Sequence, residues 1–377
     1  MVVGRVGDSL MLVVFRVDAS SAIGSGHVMR CLTLADALTT SGSRCHFVMR
    51  QKSGSLETAV GRRGHTFKLL PAGSPVSVGS SLENDSTHAS WLGTSWKADA
   101  DETLIALAGM EPDWLVVDHY ALDHRWESLV SGCSKRLMVI DDLADREHDC
   151  DLLLDQNLGR EQSDYDGLVP HRTTRLVGSA YALLRPEFAQ ARTRSIEARQ
   201  SRELENILIS MGGADVENVT GEVLRVLDTN GGLGSCRLTV VLGAACPHVE
   251  GVIRQAASME LDTRVIVNAD NMAALMSEAD LAIGAAGGSA WERCCLGLPT
   301  LLVIMADNQR QGAEALHRAG AALCIGSPDS VHETLPLALQ KVLMPGELHR
   351  MSCTAAAICD GRGAQRVVDA LTEVEGG

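Results

Sequence analysis

With 377 residues, 45% of them apolar and 21% charged, the chain has the length of about two domains and enough apolar material for two sizeable cores. A formal net charge of −15 argues against nucleic acid, whose phosphates demand basic patches, and no polybasic run or ~18-residue apolar run marks a membrane partner. Aromatics make up only 3%, so the cores must be built from Ala, Val, Leu, Ile and Met. The eleven cysteines show no Cys-x-x-Cys spacing and read as reduced thiols of a cytoplasmic protein.

Residues 1–10 carry no secretory apolar core with a cleavage site, and Met11 is a candidate start. The apolar run 11–15 reads as a strand. It leads through Ile23-Gly24-Ser25-Gly26-His27-Val28-Met29-Arg30 into a helical pattern in which Leu32, Leu34, Ala35 and Leu38 recur. Strand, glycine loop and helix start form a place where backbone passes close to a ligand and free N–H groups favour an anion. Histidine titrates near neutrality, so His27 is a candidate general base beside that anion. The same residues also describe a capping turn with an exposed histidine. Two glycines without a third do not make the dinucleotide fingerprint, and no clustered metal ligands appear, so neither cofactor nor metal is expected.

A strand over 44–50, a helix over 56–63 and a strand over 66–70 follow, and such alternation signals a parallel sheet. Residues 71–84 turn to Gly, Ser, Pro and Asn and read as a loop. Beyond it, Trp91 and Trp96 either anchor the loop to the core or wall a pocket. A helix resumes over 99–108. Three apolar strands then end in acid, at Asp118, at Asp141-Asp142 and at Asp155. These carboxylates either cap helices or form a polar rim at the strands' C-terminal ends. His124 and His148 read as surface residues. After a short strand at 175–178, composition shifts over 189–202 to Arg, Ser and Gln, which reads as a linker. The boundaries are therefore set at 11–190, 203–365 and a tail of 366–377.

The second half repeats the grammar. A strand at 206–211 enters the turn Gly212-Gly213-Ala214-Asp215, and a helix follows over 219–227. Strands at 238–243 and 263–267 and a helix over 271–279 precede a third glycine loop. There the strand ending at Ala285 enters Gly287-Gly288-Ser289, and Glu292 lies in the first turn of the next helix, where the dipole favours an acid. A strand at 299–304 ends near Asn308-Gln309, and from His332 the chain is mostly helical with a break at Gly361 and Gly363.

Gly24 to Arg30 resembles the Gly-x-Gly-His-x-x-Arg motif of the MurG-like group of GT-B enzymes. Arg16 to Ser20, His88 to Gly93, Asp118 to Tyr120, Ile140 to Ala144, Tyr181 to Phe188, Ser210 to Asp215, Gly284 to Gly297 and Asn308-Gln309 extend the likeness in one order to the PseG family of pseudaminic acid biosynthesis. The resemblance implies an α/β protein of GT-B fold, two Rossmann-like domains facing each other across a cleft. It implies metal-independent hydrolysis of UDP-2,4-diacetamido-2,4,6-trideoxy-β-L-altropyranose to UDP and free sugar, by water attack at C1 with inversion. His27 would be the base, with Gly24 and Gly26 opening the backbone to the diphosphate and Gly213 a second approach point. Gly287, Gly288 and Ser289 N–H groups would meet charge developing on UDP. Glu292 would accept the ribose hydroxyls, the Met272 backbone would read uracil, and Asn308, Gln309, Tyr120, Asp118 and Asn157 would line the sugar side. Arg30 would fix a neighbouring carboxylate or touch substrate. Ser289 stands where Thr is usual and Ala290 where a small hydroxyl residue is expected. The partner implied is a small UDP-sugar, with no oligomeric partner named. The rivals are a glycosyltransferase on the same scaffold, a hydrolysing UDP-sugar 2-epimerase and a non-catalytic nucleotide-sugar binding protein.

Overall fold

A computed structural model describes residues 10–20, 23–52, 54, 56–73, 88–229, 233–234 and 236–373. The expectations for residues 1–9 and for the loop over 74–84 lie outside them. The chain divides into two compact units: Met1–Asp155 with Arg160–Val177 and Ala364–Gly377, and Gln156–Gly159 with Gly178–Gly363. Among the described residues no helix is long and apolar enough to cross a membrane.

In the first unit β1 (Leu12–Val17), α1 (Gly26–Thr40), β2 (Arg44–Arg50), α2 (Glu57–Arg62), β3 (Thr66–Leu70), α3 (Trp96–Leu107), β4 (Trp114–Asp118), α4 (His124–Val130), β5 (Arg136–Ile140), β6 (Leu152–Asp155) and β7 (Thr174–Val177) alternate. They form a seven-stranded sheet ordered β3-β2-β1-β4-β5-β6-β7, all pairs parallel. Because β1 lies inside the sheet, the chain winds outward to β3 and then returns to the other side of β1. The strand order reverses between β1 and β4, where Val17 lies opposite Asp118. In sheets of this kind ligands usually bind at the strands' carboxyl ends beside such a reversal.

The second unit contains α5 (Pro186–Ala198), β8 (Asn206–Ser210), α6 (Val219–Thr229), β9 (Arg237–Leu242), α7 (Val249–Ser258), β10 (Thr263–Val267), α8 (Met272–Glu278), β11 (Leu281–Ala285), α9 (Ser289–Cys295), β12 (Thr300–Val303), α10 (Arg310–Ala319), β13 (Ala322–Cys324), α11 (Val331–Val342) and α12 (Glu347–Ile358). Its six strands run parallel in the order β10-β9-β8-β11-β12-β13, with the reversal between β8 and β11. Strand residues alternate between two cores: Ile207, Ile209, Leu281 and Ile283 enter one, and Leu208, Ala282 and Leu302 the other.

Two expectations about boundaries are corrected. Residues 189–202 are mostly helix α5, packed into the second unit. The polar composition that reads as a linker is arginine used to close helix ends. Arg192 donates to the carbonyls of Cys295, Ala356 and Cys359, and Arg199 to those of Met276, Ala279 and Leu296. These carbonyls lack intrahelical partners, and a buried guanidinium satisfies several at once. Burial pushes Arg199 down to about 10. The described part of the tail, 366–373, lies in helix α13 (Gly363–Glu373), which from Ala364 on belongs to the first unit: Val367, Val368 and Leu371 are buried, and the Trp114 indole N–H donates to the Leu371 carbonyl at 3.2 Å.

Candidate functional site

In the first unit the loop after β1 is held by the Gly24 N–H donating to the Ser20 carbonyl at 2.8 Å and by Ile23 N–H on the Ser20 hydroxyl. Gly24 sits at φ +80°, which favours glycine, whereas Gly26 has no such need. A Cβ on either would meet nothing within 4 Å among the described residues, so the chain's own packing does not demand glycine at 26. The missing side chain leaves exposed backbone open to another molecule.

His27 is the second residue of α1 and is 8% exposed. Its Nδ1 lies 2.5 Å from Asp118 Oδ1, at the end of β4. Arg30, one turn along the same helix face, places Nε 2.6 Å from Oδ2 and Nη2 2.7 Å from Oδ1 of that carboxylate. Its third nitrogen, Nη1, lies 2.6 Å from Asp142 Oδ2, which also accepts the Tyr120 hydroxyl at 2.8 Å. Burial alone would raise the Asp118 pKa. The Arg30 guanidinium and then His27 outweigh it and hold this carboxyl well below the usual range. An ionised oxygen 2.5 Å from Nδ1 favours a proton on that nitrogen, which Arg30 Nη2 also approaches at 3.2 Å; with the proton there, a neutral imidazole carries its lone pair on Nε2. Nε2 has no partner among the described residues. The Tyr120 ring stands edge-on to the imidazole, centroids 4.6 Å apart at 81°. Burial and Asp142 hold its phenol well above the usual range, so it remains a neutral donor.

The other strand-end acids are held by the chain's own donors. Asp141 accepts the Ala144 N–H at 2.8 Å and pairs with Arg146 at 2.8 Å, Asp155 pairs with Arg160 at 3.2 Å, and the one proton of the Tyr165 hydroxyl is shared between Asp141 Oδ2 at 3.1 Å and Asp155 Oδ2 at 3.0 Å. His148, expected at the surface, is 3% exposed with Nδ1 2.6 Å from Glu127 Oε1, buried because that carboxylate also takes the Asp149 N–H. His124 is half-exposed, as expected.

The second unit repeats the arrangement at its own strand reversal. After β8 the chain turns at Gly212, φ +94°, past exposed Gly213, and Asp215 caps α6 by accepting Val219 and Thr220 N–H groups at 2.8 and 3.0 Å. After β11, Gly287, Gly288 and Ser289 lead into α9. Gly288 is exposed, and the Gln309 amide nitrogen lies 3.4 Å from where a Cβ on Gly287 would stand. Gln309 Oε1 accepts the Met305 N–H at 3.1 Å within its own turn, while Asn308 is exposed. Ser289 Oγ accepts from Arg293 Nη1 at 3.2 Å, and Ala290 is buried. Glu292 is half-buried with Arg185 Nη2 at 3.7 Å. Burial raises its pKa, and Arg185 opposes the rise without cancelling it. Met272 opens α8, half-buried against the core. Asn157 lies in the 156–159 segment that groups with this unit rather than with Asp118 and Tyr120. Sequence reasoning missed Asp142 and Arg185 as site neighbours. Asp142 was signalled by its place beside Asp141 at a strand end, and Arg185 by nothing local.

Residues 239–367 match the glycosyltransferase family 28 C-terminal domain. The UDP-2,4-diacetamido-2,4,6-trideoxy-beta-L-altropyranose hydrolase of Campylobacter jejuni is 26% identical over 312 residues, 82% of this chain and 97% of that protein. The spore coat polysaccharide biosynthesis protein SpsG of Bacillus subtilis is 30% identical over 200 residues, which span 52% of this chain and only 58% of SpsG. The crystal structure of Acinetobacter baumannii MurG aligns with a TM-score of 0.67 at 16% identity, covering 96% of this chain and 99% of MurG, a likeness of fold. The chain therefore has the GT-B fold, and its sequence is similar to the family 28 C-terminal domain in its second half and to the PseG-type hydrolase over most of its length.

Proposed function

We propose that this chain processes a UDP-sugar and, more narrowly, that it hydrolyses a UDP-activated diacetamido-trideoxy sugar such as UDP-2,4-diacetamido-2,4,6-trideoxy-β-L-altropyranose. The observation that carries the reading is the His27–Asp118 pair: a histidine whose Nδ1–H is fixed on an ionised carboxylate and whose Nε2 lone pair is unengaged. That is a general base with its orienting group in place. The extended likeness to the hydrolase supports the choice of substrate.

In this reaction Nε2 takes a proton from water as the oxygen attacks C1. The C1–O bond breaks on the opposite face, its electron pair leaves with UDP, and the anomeric centre inverts. Asp118 stabilises the imidazolium that forms, and Arg30 holds Asp118. Both are positioning residues rather than substrate contacts, since their polar atoms are already engaged. Gly24 and Gly26 leave room for the diphosphate. In the second unit, N–H groups of Gly287, Gly288 and Ser289 meet the charge on UDP, Glu292 accepts the ribose hydroxyls and the Met272 backbone reads the base. Gly213 lets the nucleotide approach, and Asn157, Asn308, Gln309 and Tyr120 serve the sugar. No cofactor is called for.

Proton and carbon NMR of the reaction in ¹⁸O-labelled water, run over a panel of UDP-sugars, tests this. Free sugar of inverted anomeric configuration carrying the label at C1 supports it; label in UDP, or a 2-epimer among the products, refutes it. The family 28 match favours a second reading, transfer to a sugar or lipid acceptor. In that case free sugar would be absent, and UDP and a glycoside would form only once an acceptor is added.

A further inference from the structure

The turn around Trp91 is built with more care than a surface loop needs. The Trp91 and His88 rings lie 4.4 Å apart, and both pack on Tyr120, at 5.9 and 5.3 Å between centroids. Tyr120 in turn touches His27, so the aromatic group is continuous with the base. Leu92, the next residue, is buried, whereas Trp91 and His88 each keep part of their surface open. The other tryptophans are spent on packing: Trp114, Trp126 and Trp291 are buried, and Trp96 lies against the first unit's core.

The turn is fixed from beneath. The Lys52 ammonium donates to the Trp91 carbonyl and lies 3.1 Å from Asp18 Oδ2. Asp18 is itself fully buried and anchored by Arg16 at 2.5 Å and by the Arg50 N–H at 2.7 Å. Burying charges costs desolvation, and here that cost fixes where one tryptophan stands. His88 is tuned in the same direction: burial pushes its imidazole down, so it offers an uncharged ring.

We propose that Trp91, with His88 packed against it at a tilt, is a specificity-determining wall beside His27 that takes an apolar edge of the sugar, a deoxy methyl or an acylamino methyl, and disfavours a hydroxyl at that place. A methyl laid on the ring face gains apolar burial, whereas a hydroxyl laid on that face loses water and gains no ordinary hydrogen bond from it. The proposal rests on the reading of this site as a UDP-sugar site.

Calorimetry in a His27→Asn background, which prevents turnover, tests it with three probes: UDP, UDP-glucose and UDP-2,4-diacetamido-2,4,6-trideoxy-β-L-altropyranose. Adding Trp91→Ala should weaken the diacetamido-trideoxy sugar about tenfold, with UDP and UDP-glucose within about twofold, while Trp91→Phe keeps most of the affinity. Where Trp91→Ala proves unfolded, Trp91→Leu, which keeps bulk without a ring face, gives the same comparison. Equal weakening of all three ligands, or no weakening of the diacetamido-trideoxy sugar, overturns the wall. Turnover of the unmutated protein is followed by NMR in parallel. No hydrolysis together with the selective loss refutes the hydrolase reading and leaves the wall standing; hydrolysis without the selective loss overturns the wall alone.

Discussion

Replacing Asp118 with Asn tests the site at its least exposed point. The carboxylate receives three strong donors: His27 Nδ1 at 2.5 Å, Arg30 Nε at 2.6 Å and Arg30 Nη2 at 2.7 Å. An amide can answer only some of them. With its oxygen toward His27, the NH₂ group faces Arg30 Nε–H, donor against donor. With its oxygen toward Nε, the NH₂ group faces His27 Nδ1 and forces the proton onto Nε2, which removes the lone pair the base needs. Either way the negative charge that would stabilise the imidazolium is gone. Turnover should fall by about 10²–10⁴, the full range of a general base. Removing one partner of a buried ion pair costs ~3–5 kcal/mol. Arg30 keeps Asp142, so the lower figure applies, and melting should drop by roughly 10 °C. UDP affinity, measured by calorimetry on folded protein, should stay within about twofold. Because the Asp118 pKa is depressed, the carboxylate stays ionised through the working pH range and adds no acid limb of its own. An Asp118→Asn enzyme with turnover within about threefold of the parent would refute the orienting role, and so would a loss of UDP affinity as large as the loss of rate.

Three further outcomes are expected. His27→Asn should lower turnover by about 10²–10⁴ with little change in UDP affinity; near-parental steady-state rates would remove His27 as base, and lost UDP binding would make it a phosphate ligand. Glu292→Ala should weaken UDP by about 1–3 kcal/mol by calorimetry, the scale of hydrogen bonds to a charged group. Its folded pKa is raised, so the ligand-free protein loses stability as pH rises through the window above the ordinary glutamate value. Glu292→Gln should therefore melt higher than the parent at pH 7, and the parent's UDP affinity should fall on acidification above the ordinary glutamate range, a limb absent from the Gln variant. Activity should survive EDTA; full loss restored by Mg²⁺ or Mn²⁺ would contradict the reading.

Period and punctuation in the sequence carry the fold, because a buried parallel strand must be an apolar run and a loop approaching a ligand tends to need glycine. Arg237 to Leu242 and Leu281 to Ala285 are legible for that reason. The spacing of His27 and Arg30 is legible as well, since three residues along a helix is one face. What that face meets is not. Asp118 lies 91 residues away from His27 and reaches it because β4 returns to pair with β1, placing Asp118 opposite Val17. Local periodicity does not give strand order, so the carboxylate reads equally well as a cap, a rim or a substrate contact. The arginines of α5 fail for the related reason that an arginine bonded to buried carbonyls has the same composition as one in solvent. Both misreadings concern polar groups whose partners are distant in sequence. In a chain with few aromatics, the buried charges around Asp18, Asp118 and Asp141 hold the carboxyl ends of the first sheet, and the site is assembled from contacts of that long-range kind.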